Sequence, residues 1–154
     1  MQPFLDFLNM YEFLANTHNL IRWIVLPLML VVVVLSWSGF FTNREYRKSD
    51  KTLGVSMLGL VHLQLLLGLI LYFVSPMVQL ALDDFGAAMK NAELRKIVME
   101  HPLVAIIAVT LVQIGYSKAK KAKIAIRKHK TMAIYTTIAL VLILSRIPSW
   151  SFLR

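Results

Sequence analysis

The chain has four histidines, and each lies in or beside one of four long apolar stretches. They are His18, His62, His101 and His129. An imidazole inside hydrocarbon costs several kcal/mol unless something binds it, so these histidines are candidate functional residues. Imidazole is also the usual axial ligand of haem iron. Their placement therefore predicts a small membrane protein that binds haem.

Composition fixes the class of protein that must position these rings. Of the 154 residues, 58% are hydrophobic, and the mean hydropathy is +0.65. A membrane-spanning helix needs roughly 20 apolar residues. The sequence predicts one all-α domain over residues 1–154, an integral membrane four-helix up-down bundle. The predicted spans are 18–41, 52–76, 97–117 and 130–149, and the connection 77–96 is expected to form a short surface helix.

The formal net charge of +9 is concentrated in two connections. Four basic residues lie between the first and second spans, and seven lie between the third and fourth. The positive-inside rule places both connections in the cytoplasm and both termini outside, in a bacterial inner membrane. The expected partner of these basic loops is the lipid bilayer. Nucleic acid is not expected, because no basic fold with interleaved aromatic residues accompanies the charge.

The absence of cysteine limits the haem chemistry that is available. It excludes thiolate ligation, iron–sulfur clusters and covalent haem attachment through Cys-x-x-Cys-His. Any haem would be held without covalent bonds, as haem b is.

Depth in the membrane pairs two of the histidines. In a sequential up-down bundle the first and third helices lie diagonally across the core. His18 and His101 both lie near the outer ends of those helices. They are therefore the predicted ligands of one haem iron in the outer leaflet.

Charged residues near this pair are candidate haem partners. Arg22 lies four residues after His18, on the same helix face, and Arg146 lies near the outer end of the fourth helix. An arginine fork matches a haem propionate, although either side chain could instead reach lipid phosphate. Glu100 is expected either to orient the ring of His101 or to be a solvated acid at the start of the helix.

The other two histidines differ in depth by roughly 15 Å at the helical rise per residue. His129 stands among basic residues and is expected to be solvated. His62 lies near the middle of the second span and needs a polar partner, with Gln64 nearby and a quinone as a further candidate. One haem is therefore expected rather than two.

Short motifs give the chain a family resemblance. His18-Asn19-Leu20-Ile21-Arg22, Gln64-Leu65-Leu66-Leu67-Gly68 and Glu100-His101-Pro102-Leu103 resemble, in the same order, motifs of one half of haem A synthase. The resemblance implies that His18 and His101 are axial ligands. Arg22 departs from the pattern, in which the arginine is adjacent to the histidine, and a single half argues against synthase activity.

The chain also resembles four-helix membrane cytochromes b, which carry electrons between quinones or soluble partners. The members with two haems pair histidines near both faces, which would recruit His62 and His129. The resemblance thus implies that the chain binds haem b. It also implies that the chain either carries electrons or handles haem, together with a redox partner or a respiratory complex. A homo-oligomer is a further expectation.

Two other classes of protein fit the same residues. One is a structural or assembly membrane protein without a cofactor, and the other is a membrane protein that binds a metal through His18, Glu100 and His101. An electron carrier or subunit is expected rather than a stand-alone enzyme, because the sequence offers no nucleophile–base pair and no glycine-rich phosphate loop.

The charge distribution makes a topological prediction. Ala122→Cys would place the chain's one cysteine in the second basic connection. We expect a membrane-impermeant maleimide to label it in inverted vesicles but not in intact cells. Labelling from outside intact cells would contradict the topology.

Overall fold

A computed structural model describes residues 2–148, and for Pro3 and Phe4 the backbone alone. The described chain is 90% helical and contains no strand. The all-α prediction is confirmed.

Four long helices and a chain of short ones make up the fold. The elements are α1 (Gln2–Phe41), α2 (Lys48–Val74), α3 (Pro76–Asp83), α4 (Phe85–Lys90), α5 (Ala92–Arg95), a π-helical turn (Lys96–Glu100), α6 (His101–Lys121) and α7 (Ala125–Ser145).

The first helix begins at Gln2 rather than at residue 18. Hydropathy marks where an apolar run starts, but a helix can continue through polar residues as long as its backbone hydrogen bonds are made. Residues 5–17 alternate apolar side chains with Asp6, Glu12 and Asn16, and they contain neither glycine nor proline. The helix therefore extends about four turns beyond the predicted span.

Proline sets the boundary between α2 and the connection that follows it. Ser75 has an extended backbone with ψ 120°, which is the conformation that a following proline favours. Its hydroxyl accepts a hydrogen bond from Val78 N–H at 3.4 Å and so caps α3. The predicted surface helix over 77–96 is in fact three short helices, which are broken at Asp84 and Asn91.

A π-helical turn leads directly into α6. In this turn His101 N–H donates to Lys96 O, five residues back. Pro102 follows, and a proline lacks an N–H and crowds the carbonyl four residues before it. The wider turn gives that ring room, and π-turns of this kind are frequent at functional sites.

The four long helices pack in a ring. α1 contacts α2 and α7, and α6 contacts the same two helices, so α1 lies diagonally opposite α6. Small buried residues such as Ala108, Ala133 and Ala139 allow close approach between helices. Trp37 Nε1 on α1 donates a hydrogen bond to Thr137 Oγ1 on α7 at 3.0 Å.

Within residues 2–148, three helical segments are long and apolar enough to cross a membrane, namely Leu5–Phe41, Lys48–Val74 and Ala92–Lys121. Helix α7 has 21 residues, but Arg127, Lys128 and Lys130 lie in its first turns. It begins five residues before the predicted start at 130, and the predicted end at 149 lies outside the described residues.

The end of the molecule formed by residues 42–51 and 118–130, here called the basic end, is held by an ion pair. Arg44 donates to both carboxylate oxygens of Asp50 at 2.7 Å, and it also donates to Leu35 O at 3.2 Å. These bonds join the end of α1 to the start of α2. Asn43 makes the turn with φ 51°, a conformation that asparagine tolerates better than most residues.

Gly39 makes room for a histidine ring from α7. A Cβ at this position would lie 2.6 Å from Nε2 of the His129 ring, which is closer than real carbon contacts. We expect Gly39→Ala to destabilise the fold by about 1–3 kcal/mol, the usual cost of overpacking. The measurement is thermal or denaturant unfolding of the purified protein in detergent.

Gly59→Ala is the matched control, because a Cβ there meets nothing within 4 Å. It should be neutral or slightly stabilising. In the double variant Gly39→Ala/His129→Ala the two effects should be non-additive, since the second change removes the ring that clashes. An equal loss of stability at Gly39 and Gly59 would contradict the packing described here.

Candidate functional site

A cavity of about 200 Å³ opens among the four long helices, in the half of the molecule away from the basic end. Most of its lining is apolar, with Val25, Leu65 and Val109 as examples. The polar side chains that line it are Tyr11, His18, Asn19, Arg22, Gln64, Tyr72, Ser75 and His101. An apolar cavity with a few converging polar groups is the usual form of a small-molecule or cofactor site.

The two histidines that were paired by depth both line this cavity. His18 reaches it from α1 and His101 from α6, the two diagonal helices. The structure thus brings together the side chains that the sequence pairs.

The ring of His101 is oriented by a backbone carbonyl. Its Nδ1 lies 3.0 Å from Arg146 O, just beyond the end of α7. A carbonyl can only accept, so Nδ1 carries the proton, and in the neutral ring Nε2 keeps a lone pair. Ligating histidines are typically held in this way, because the second-shell bond fixes both tautomer and ring orientation.

Glu100 acts on this arrangement indirectly. Its carboxylate forms ion pairs with Arg95 at 2.9 Å and with Arg146 at 3.3 Å. The acceptor for the His101 ring is the carbonyl of Arg146 rather than the carboxylate of Glu100, and Glu100 holds the residue that supplies that carbonyl.

His18 lies where α1 and α2 approach closely. A Cβ on Gly68 would lie 3.1 Å from Cε1 of the His18 ring, so a larger residue there would press on the ring. One turn earlier on α2, Gln64 Nε2 donates to His18 O at 2.9 Å. The Oε1 atom of Gln64 is buried, and among the residues that the structure describes it has no hydrogen-bond partner.

The two predicted arginine partners differ in position. Arg22 lines the cavity beside His18, and its guanidinium carbon lies 5.6 Å from the ring centroid of Trp23. Arg146 does not line the cavity, and its guanidinium is paired with Glu100 instead.

His62 faces away from the cavity. It is exposed, and its Nδ1 lies 2.8 Å from Leu58 O on its own helix. That bond provides the polar partner that a histidine at this depth needs.

The expectation that His129 is solvated is wrong, because the residue is fully buried. Its ring packs against Gly39 and against Tyr46, with ring centroids 4.9 Å apart, and Nε2 lies 3.4 Å from Glu45 O. Sequence position placed His129 among lysines, but helix α7 starts earlier than expected and turns this side of the helix toward α1. Neither His62 nor His129 lines the cavity that His18 and His101 share.

Several lining residues were not identified from the sequence. Tyr11 belongs to the unexpected extension of α1, and Tyr72 and Ser75 lie at the end of α2. Asn19 is buried at the start of the first apolar stretch, and the argument that singled out the histidines applies equally to an asparagine there.

A metal ion bound by protein side chains alone needs more protein ligands than a haem iron does. The residues that the structure describes contain no group of three or more His, Cys, Asp or Glu side chains placed to hold a metal ion. A porphyrin supplies four ligands of its iron, so a haem requires only two from the protein.

Comparison with known proteins gives no assignment for the chain. No family model, no curated protein and no solved structure matches it.

The Glu100–Arg146 contact leads to a prediction about the end of α7. Glu100→Gln weakens both ion pairs and should loosen Arg146. Amide hydrogen exchange over residues 143–147 should therefore rise roughly two- to fivefold, the modest change expected when an exposed ion pair is weakened. Glu93→Gln is the matched control, because Glu93 forms no side-chain ion pair within residues 2–148. Equal exchange in the two variants would mean that Glu100 does not hold this segment.

Proposed function

We propose that the chain is an integral membrane protein whose four long helices form one bundle that binds a single haem b between His18 and His101. In this proposal it carries electrons, or handles haem, as a small subunit beside a respiratory complex. The observation that carries the proposal is that His18 and His101, on diagonal helices, line the same cavity.

The residues present fit a bis-histidine haem. The lining is mostly apolar, as a porphyrin ring requires, and His101 is held with Nε2 available for ligation. Gly68 leaves the room that the His18 ring occupies. Arg22 would balance the negative charge of a propionate. Haem bound here would supply one-electron oxidation and reduction, and the protein would supply ligands, orientation and exclusion of water.

The remaining histidines support one haem rather than two. His62 is exposed and bonded to its own helix, and the ring of His129 is covered by Gly39 and Tyr46. A second haem at this pair would require the two rings to face a common space.

Membrane insertion is supported by the surface of the helices. Large apolar side chains are exposed along them, among them Leu30, Val34, Leu66, Ile106 and Val141. Such a surface is compatible with lipid and costly in water. The basic end would then lie in the cytoplasm of a bacterial cell and both termini outside. The redox partner, with quinone among the candidates, and a homo-oligomeric state remain expectations from the sequence.

Histidine variants test the haem site. His18→Ala and His101→Ala should each lower the haem bound per chain several-fold, because each removes one axial ligand. His62→Ala and His129→Ala should leave haem per chain unchanged. The measurement is haem content and the reduced-minus-oxidised spectrum of protein purified in detergent, with helical circular dichroism as the folding check.

A cavity-filling pair provides a second test without removing a ligand. Ala105 lines the cavity, whereas Ile107, two residues along the same helix, is exposed away from it. Ala105→Trp should exclude haem, and Ile107→Trp should not. Full haem content in folded Ala105→Trp, or an equal loss at all four histidines, would refute the proposed site.

A further inference from the structure

The whole formal net charge of the protein lies at the basic end. Eleven of the 17 Lys and Arg residues are there, against two of the eight Asp and Glu residues. The remaining six basic and six acidic residues cancel. An excess of a few basic residues is enough to orient a protein by the positive-inside rule. The larger number at the basic end therefore suggests a function beyond orientation.

Few of these cations are neutralised by the protein. Arg44 is paired with Asp50, which is buried, and Lys118 donates to Tyr135 Oη at 2.7 Å. Eight others are exposed and form no ion pair within the described chain: Arg47, Lys48, Lys51, Lys120, Lys121, Lys123, Arg127 and Lys130. They carry a surface charge that a partner outside the protein can neutralise.

The fold joins the two basic connections into one surface. Gly54 on α2 packs against Tyr116 on α6, where a Cβ on the glycine would lie 3.5 Å from the tyrosine ring. Lys51 lies about one turn before that contact and Lys120 about one turn after it. The cations at the start of α2 and those at the end of α6 are therefore neighbours, although they are about 70 residues apart in the sequence.

Aromatic and apolar side chains lie at the same level as the cations. Trp37, Phe40 and Phe41 contact one another, and Phe41 is 75% exposed. Lys130 Nζ lies 5.8 Å from the ring centroid of Phe40. Ile124 is 53% exposed between Lys123 and Arg127. Aromatic rings beside lysines are typical of the headgroup layer of a membrane.

A nearby phenol adds no competing negative charge. Burial raises the pKa of Tyr46 to about 12, so this side chain stays neutral at physiological pH. Lys128 Nζ lies 5.5 Å from its ring centroid.

We propose that the basic end is a binding surface for the phosphodiester headgroups of anionic phospholipids, with the exposed Phe41 and Ile124 entering the adjoining acyl layer. A lipid fits better than a soluble acidic protein, because the apolar side chains beside the cations need hydrocarbon. The inference rests on the proposed membrane insertion but not on haem binding.

The test uses the full-length protein in a neutral detergent and follows thermal unfolding by tryptophan fluorescence. Phosphatidylglycerol added to the micelles should raise the midpoint by about 3 °C or more, since a ligand that binds the folded state stabilises it. Phosphatidylcholine and inorganic phosphate at the same concentration should have little effect. In 0.5 M NaCl the rise should largely disappear, because the Debye length is then only about 4 Å.

Charge variants locate the effect. Lys120→Gln/Lys121→Gln/Lys123→Gln should lose at least half of the rise, as expected when each lysine near an anionic surface contributes on the order of 1 kcal/mol. Lys90→Gln/Lys96→Gln, at the other end of the molecule, should keep the full rise. Each variant is compared with itself, with and without phosphatidylglycerol. A difference in unfolding midpoint between variants without lipid therefore does not affect the result.

Four results would overturn the proposal. They are equal stabilisation by phosphatidylcholine, equal stabilisation by inorganic phosphate, a full rise in the triple variant, and stabilisation by polyglutamate equal to that by phosphatidylglycerol. The last result would assign the surface to a soluble acidic partner. Haem content is not part of the readout, so failure here leaves the haem proposal standing.

Discussion

A polar atom that leaves water must find a partner, and this requirement governs how the helices carry their polar side chains. The solutions are mostly local. Thr17 and Thr110 donate to carbonyls four residues back on their own helices at 2.8 Å, and His62 Nδ1 lies 2.8 Å from a carbonyl of its own helix. These side chains are satisfied without a ligand. Their local hydrogen bonds are enough to explain how they lie on apolar helices.

The candidate site differs because its partners come from other helices. His101 is oriented by the carbonyl after α7, and Gln64 on α2 donates to the backbone of His18 on α1. Such bonds fix the relative positions of the helices as well as the side chains. Glu100 strengthens the arrangement by pairing with Arg146, whose carbonyl holds His101. A cofactor placed between His18 and His101 would thus meet ligands whose geometry is set before it binds, which is what tight binding requires.

The sequence predicted the parts of this account that depend on composition and order. Apolar stretches are enough to predict an all-helical chain, and the order of the helices predicts that α1 lies opposite α6, as their contacts show. The pairing of His18 with His101 followed from that placement. The extension of α1 to Gln2 was not predictable from hydropathy, because helix formation by mixed polar residues leaves no apolar signal.

The direction in which a side chain points was the least predictable property. His129 lies among lysines in sequence, yet its ring is buried against Gly39, which is 90 residues earlier in the chain. Arg146 was expected at the cofactor, but its guanidinium is paired with Glu100. The burial of His129 depends on the rotation of α7 about its axis. Rotation is set by tertiary packing, and α7 has too mixed a pattern of polar and apolar residues to reveal it.

The central claim is that one haem b is held between His18 and His101. The most direct measurement is the ratio of haem to protein chain in the detergent-purified protein, taken together with its reduced-minus-oxidised spectrum. The account predicts one haem per chain, with the low-spin b-type spectrum that two imidazole ligands give. A colourless protein that stays colourless when haem is added, or two haems per chain, would contradict it.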